Sequence, residues 1–188
     1  MARGAGVALA LVILGGAGCG GLLSYKGAPP APVQRGRVVI DVRDSREPKA
    51  GGNKHEEVGV HAGAFGIPDM LTVDGPTVVA DTMRQLVAEA ARAAGIGITD
   101  APAGATARVL VDVQRLWCAG YGGYHAAVTA SISVYDPSGQ QVRVPGVPVS
   151  AEDGGLKCKR VFHHALTDFF RATQAMFANP NVAGALTQ

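Results

Sequence analysis

Residues 107–118 read ARVLVDVQRLWC and residues 126–136 read AAVTASISVYD, and these two segments decide the fold. Apolar and polar residues alternate along both of them. The apolar positions are Val109, Val111, Val113, Val128, Ala130, Ile132 and Val134. Because successive side chains of a β-strand point to opposite faces, the pattern predicts neighbouring strands of an antiparallel sheet with one face on the core and one polar face.

Two amphipathic helices are predicted to cover the apolar face of this sheet. The first opens at Pro76 and ends at Gly95, and the second covers residues 161–178. Apolar residues recur in both at the spacing of a helix face. They are Val79, Met83, Leu86, Val87, Ala90 and Ala94 in the first helix, and Phe162, Leu166, Phe169, Phe170, Thr173 and Phe177 in the second.

Two further strands complete the expected domain. Residues 37–43 alternate in the same way, and residues 140–150 are expected to form an edge strand because they contain Pro145 and Pro148. The element order is β-α-β-β-β-α. It predicts an α+β fold, a two-layer sandwich in which two helices cover one face of a mostly antiparallel sheet of about four strands.

A polar, glycine-rich segment from about residue 44 to residue 75 separates the first strand from the first helix. We expect a long loop there, with a short strand at residues 57–60. Loops of this length are usually functional or mobile.

The N-terminus resembles a bacterial lipoprotein signal peptide. Arg3 precedes an apolar run over residues 7–14, and small residues lead to Cys19. The resemblance implies a signal peptide at residues 1–18 and acylation of Cys19. A Gly/Pro-rich tether would follow at residues 19–36, then one domain at 37–180 and a flexible tail at 181–188. The alternatives are an uncleaved membrane anchor and a plain secretory signal.

Beyond the signal, the chain resembles the YajG-like outer-membrane lipoproteins and, more distantly, the LptE-like lipoproteins. The similar stretches are IDVRDSRE, GAFGIPDMLTVDGPTVV, AARAAGI and the two strands quoted at the outset. The resemblance implies a periplasm-facing accessory domain without catalytic residues. Gly20 after the cysteine favours the outer membrane.

Cys118 and Cys158 remain if Cys19 is acylated, and they lie 40 positions apart. In an oxidising compartment a disulfide between them is expected, and two buried thiols are the alternative.

No motif predicts an enzyme, a metal site or a cofactor. His55 and His61 lack the spacing of an HExxH zinc site, and the adjacent His163 and His164 would diverge on a helix. There is no GxSxG sequence, and no GKS or GKT follows a glycine-rich loop. A net charge of +2 predicts no binding of nucleic acid.

Three aromatic residues around the AGYGGY segment are the best candidates for an interaction surface. They are Trp117, Tyr121 and Tyr124, and aromatic side chains are favoured as interface anchors. We therefore expect a lipid-anchored, non-enzymatic envelope protein that binds a protein partner. A lipid or glycan carrier is the alternative, and a metal-dependent enzyme using His55 and His61 is a weaker one.

Overall fold

The computed structural model describes residues 22–47, 55–62, 68–120, 123–142 and 149–187. These residues form one mixed sheet and three helices. The strands are β1 (Arg35–Asp44), β2 (Glu57–Ala62), β3 (Pro68–Thr72), β4 (Ile96–Ile98), β5 (Ala107–Ala119), β6 (Tyr124–Tyr135), β7 (Gln141–Val142) and β8 (Val149–Gly155). The helices are α1 (Val78–Ala93), α2 (Cys158–Ala178) and α3 (Pro180–Thr187).

Strand β5 is the centre of the sheet. It pairs with β6 in antiparallel fashion along one side, which confirms the predicted strand pair. Along its other side, β1 runs parallel to its first half and β2 runs parallel to its last residues. Strand β4 extends the sheet beyond β1, β3 extends it beyond β2, and β7 and β8 both pair with β6.

The α+β class is therefore confirmed, but the expected sheet of about four strands is too small, since the described residues contain eight strands. It is also mixed, because β1 is parallel to both β4 and β5. Alternation of apolar residues reveals a strand and not its direction. A strand as short as β4 has no recognisable period. Strand β2 contains the short strand expected at residues 57–60, whereas β3 lies in the segment predicted as a long loop.

Helices α1 and α2 lie near their predicted boundaries and cover one face of the sheet, here called the inner face. The apolar side chains on the sheet-facing sides of both helices fill the core together with the valines of β5 and β6. The largest fully buried side chains of α2 are Phe162, Phe169, Phe170 and Phe177. Burial of such side chains is the main favourable contribution to folding.

A β-bulge divides strand β5. Val113 is paired with Ala130 and Arg115 with Thr129, so Gln114 is an extra residue without a partner position. Before the bulge, odd-numbered side chains such as Val113 point into the core, and after it Leu116 and Cys118 do so. The bulge therefore exchanges the two faces of the strand.

Residues 22–34, called here the N-terminal strap, pack on α1 and α2 instead of forming the expected free tether. The Lys26 amide donates a hydrogen bond to Thr167 Oγ1 (2.9 Å), and the Ala31 amide donates one to the Arg92 carbonyl oxygen (2.9 Å). The ring of Tyr25 stacks on Phe170 with 5.9 Å between centroids. Burial and the Glu89 carboxylate raise the pKa of the Tyr25 phenol above its usual value.

The tail that was expected to be flexible also differs from the prediction. Residues 180–187 form α3, and its Val182 and Leu186 are buried in the core. The Leu186 carbonyl oxygen accepts a hydrogen bond from Thr106 (2.8 Å). Two buried side chains in a helix of eight residues are too few for a helical period to stand out in the sequence.

Gly59 is required where β2 approaches β5. A Cβ atom at this position would overlap the backbone carbonyl of Cys118, its partner in the parallel pair. We expect Gly59→Ala to lower the free energy of unfolding by about 1–3 kcal/mol and to increase amide hydrogen exchange in β2. Gly184→Ala in α3 is the control, since nothing lies within 4 Å of its Cβ position. That control should stabilise the protein by about 0.5–1 kcal/mol, and equal effects of the two substitutions would contradict the prediction.

Candidate binding surface

The face of the sheet opposite the helices, here called the outer face, is the candidate functional site. Along β5, β6 and β1 its side chains alternate with those of the core. Most are polar, and in the described part of the chain all but Ala127 are half-buried or exposed. The outer residues are Val39, Asp41, Arg43, Arg108, Leu110, Asp112, Arg115, Trp117, His125, Ala127, Thr129, Ser131, Ser133 and Tyr135.

An open groove of about 920 Å³ lies at one end of the outer face. Its floor contains the apolar side chains of Val39, Leu110 and Tyr135, which come from three neighbouring strands. Beside them the Arg108 guanidinium donates a hydrogen bond to the Asp41 carboxylate at 2.5 Å. This volume lies within the range of small-molecule sites, although the groove is open and both charges are exposed to solvent.

The turn that forms one wall of the groove is held by its own hydrogen bonds. The Ser138 hydroxyl (2.6 Å) and the Gln140 amide (2.9 Å) both donate to Asp136 Oδ1. These hydrogen bonds lower the pKa of Asp136 below its usual value because they stabilise the carboxylate. The turn is therefore held in place by hydrogen bonds between its own residues.

The candidate aromatic surface is divided between the two faces. Trp117 lies on the outer face because of the bulge, whereas Tyr124 packs against the core on the inner face. Tyr121 lies outside the described residues. Trp117 and Tyr124 thus do not form one patch, and an interaction role for any of the three remains a prediction.

Cys118 and Cys158 form a disulfide that joins β5 to the first residue of α2. Their Cα atoms are 6.2 Å apart, within the usual range for a disulfide. Both residues are buried, and the bond fixes the corner where β8 passes into α2.

The candidate metal-binding histidines make other contacts. His55 Nδ1 lies 3.2 Å from Asp44 Oδ2, and His61 Nε2 lies 3.4 Å from Asp69 Oδ2. His163 contacts Ser24, and His164 contacts Asp153 at 2.8 Å. Within the described ranges, no three His, Cys, Asp or Glu side chains are grouped as metal ligands would be.

Sequence reasoning missed the role of Arg46, whose side chain is only 8% exposed. Its guanidinium binds the Asp44 carboxylate through two hydrogen bonds, at 2.8 and 2.7 Å. It also donates to the backbone carbonyls of His55, Glu57 and Leu116. Arg46 therefore fixes the exit of β1 against the start of β2 and the second half of β5.

Cys19, the candidate acylation site, lies outside the described residues. Among the helices that the structure describes, none has the length and apolarity required to cross a bilayer.

No family model and no curated protein matches this chain. Three of the solved structures that it resembles share little of its sequence. Protein XCC0632 from Xanthomonas campestris, described as DUF330, has a TM-score of 0.47 and 10% identity over 88% of this chain and 92% of that one. The PelC dodecamer from Paraburkholderia phytofirmans has a TM-score of 0.37 and 13% identity, over 79% of this chain and 96% of that one. Lipoprotein GNA1162 from Neisseria meningitidis has a TM-score of 0.34 and 12% identity, over 65% of this chain and 84% of that one.

Proposed function

We propose that this chain is a lipid-anchored, non-enzymatic accessory protein of the cell envelope, of the YajG-like or LptE-like kind, which presents its outer face to a protein partner. Acyl chains on Cys19 would hold it on the periplasmic side of the outer membrane. Each buried CH₂ group contributes about 0.8 kcal/mol, so more than one acyl chain gives a stable anchor without a spanning helix.

The observation that carries the proposal is the position of the N-terminal strap. The strap bridges α1 and α2, and it begins at Leu22, three residues after Cys19. Three extended residues span at most about 11 Å. An anchor at Cys19 would therefore hold the folded domain close to the membrane by its helical side. The outer face would then point away from the bilayer, where a partner can reach it.

Replacing Cys19 by serine tests the anchor. We expect Cys19→Ser to move the protein from the membrane fraction to the soluble periplasmic fraction, because serine cannot receive the thioether-linked lipid. The intact mass of the wild-type protein should correspond to a chain that begins at Cys19 and carries acyl groups. A wild-type mass that includes residues 1–18, or unchanged membrane retention of the variant, would refute the anchor.

Site-specific photo-crosslinking in intact cells tests the outer face. A photoreactive amino acid in place of Arg108 or Tyr135, both of which line the groove, should give a protein adduct of one defined mass. The same amino acid in place of Arg84 or Arg171, which are exposed on the helices, is the matched control and should give none. Adducts of equal yield at all four positions would contradict a specific surface.

The groove also favours a second candidate function, a carrier for a lipid or a glycan. Val39, Leu110 and Tyr135 form an apolar floor on a face that is otherwise polar. Native mass spectrometry of the protein purified from membranes would distinguish the two functions. A bound small molecule that is lost in Leu110→Asp supports the carrier, and a bare protein supports the interaction module.

A further inference from the structure

We infer that the corner between β8 and α2, residues 156–160, docks on an anionic lipid surface and fixes how the protein stands on its membrane. The inference rests on the proposed lipid anchor. It adds a second contact with the bilayer, and with it a defined orientation of the domain.

The corner combines an exposed apolar side chain with a cluster of cations. Leu156 is 82% exposed, the highest value among the large apolar side chains that the structure describes. Lys157, Lys159 and Arg160 are exposed beside it, and residues 156–160 contain no acidic residue. The nearby Asp153 carboxylate is already paired with His164 at 2.8 Å. An exposed leucine alone needs no explanation, but a leucine among three cations matches the chemistry of a headgroup surface.

The course of the N-terminal strap brings the anchor to this corner. The Lys26 amide contacts Thr167, whereas Ser24 Oγ lies 3.1 Å from His163 Nδ1, one helical turn closer to the start of α2. From Lys26 to Ser24, towards the N-terminus, the strap therefore runs along α2 in the direction of Cys158. The chain bends at residues 22 and 23, whose side chains pack against the core. His163 lies five residues after Cys158, about 7.5 Å along the helix. An anchor three residues before Leu22 would have a reach of about 11 Å from the strap, enough to lie near this corner.

The corner is also rigid enough to set an orientation. Cys158 lies in its middle, is buried, and is bonded to Cys118 in the central strand of the sheet. A cation cluster held in this way cannot turn away from the membrane unless the whole domain turns with it. A single acyl-bearing residue on a free tether would leave the domain able to rotate.

Tryptophan fluorescence on vesicles tests the docking. Wild type, Leu156→Trp and Val33→Trp are purified as acylated chains and bound to vesicles of phosphatidylglycerol and brominated phosphatidylcholine in equal parts. Val33 is the matched control because it belongs to the strap and is 63% exposed, but lies beside Gly95 at the end of α1. We expect bromine to quench the added tryptophan at position 156, and neither Trp117 nor the tryptophan at position 33.

Charge removal then tests the role of the cations. In the Leu156→Trp chain, Lys157→Ser, Lys159→Ser and Arg160→Ser together should lower the ratio of docked to undocked protein roughly 100-fold, since each cation near an anionic surface contributes about a factor of five. Arg35→Ser, Arg37→Ser and Arg84→Ser together remove the same charge from other exposed positions and should leave the quenching nearly unchanged.

The outcomes separate docking from anchoring. An unquenched tryptophan at position 156 in protein that remains on the vesicles overturns the docking and leaves the anchor intact. Equal quenching at positions 33 and 156 also overturns it, because the corner would not be the contact. A Cys19 without acyl groups overturns the anchor, and the docking that rests on it falls as well.

Discussion

The Arg46→Ala variant is expected to lose about 3–5 kcal/mol of its free energy of unfolding, the cost of removing one partner from a buried ion pair. The Asp44 side chain is only 9% exposed and would lose its guanidinium partner, while the contacts with His55 Nδ1 (3.2 Å) and with the amide of residue 46 (3.3 Å) would remain. The carbonyl oxygens of His55, Glu57 and Leu116 would also lose their donor. Urea unfolding followed by circular dichroism measures the loss.

A second Asp–Arg pair, whose aspartate also lies on β1, provides the control. Asp41 and Arg108 form an ion pair on the outer face, but their side chains are 40% and 62% exposed. We expect Arg108→Ala to cost less than about 1 kcal/mol, because solvent screens exposed pairs. If the two alanine variants were equally stable, burial would not be the source of the Arg46 effect.

The loss in Arg46→Ala should also depend on pH. Burial alone would raise the pKa of Asp44, but the hydrogen bonds and the charge of Arg46 outweigh it and hold the pKa below its ordinary value of 3.8. A depressed pKa in the folded state stabilises the protein above the unfolded value, and this contribution is lost as the pH falls through the folded value. The difference between wild type and variant should therefore be full at neutral pH and shrink below about pH 4.

Removing the disulfide should have an effect of similar size. The bond closes a loop with a sequence separation of 40 residues. Loop-closure entropy predicts that replacing both cysteines, Cys118→Ala with Cys158→Ala, lowers the free energy of unfolding by about 4 kcal/mol. The measurement is urea unfolding with and without a reducing agent.

The reducing agent supplies the control for the disulfide prediction. Reduced wild type should lose as much stability as the double variant, whereas the double variant should not respond to reduction. A wild-type protein whose unfolding midpoint is the same in both conditions would show that the bond contributes nothing in solution.

The sequence predicted those parts of the fold that depend on local periodicity. The apolar periodicity is clear in α1, α2, β5 and β6 because each of these elements buries many side chains on one side. The parallel pairing of β1 with β5 could not be predicted in this way, since it depends on contacts between residues about 70 positions apart, such as Val38 and Ala107. The bulge at Gln114 was missed, although two consecutive polar residues, Gln114 and Arg115, interrupt the alternation there.

The candidate site was only partly predictable. Leu110 and Tyr135 are large apolar residues at positions where the alternation calls for polar ones, and this signal could have located the groove. The role of Arg46 could not have been found, because its partners come from three separate segments of the chain: Asp44, residues 55–57 and Leu116. The strap was predicted as a tether because prolines dominate its composition, whereas Tyr25 and a few backbone hydrogen bonds decide its position.

The extra residue in β5 also decides whether the disulfide can form. The Cys118 sulfur faces Cys158 on α2 because the bulge at Gln114 shifts the side chains of β5 by one position. If β5 were aligned with β6 one position out of step, that sulfur would point to the solvent side and the thiols would stay apart. Formation of the Cys118–Cys158 bond therefore requires the bulge, and a chain whose strands are aligned one position out of step would keep two free thiols.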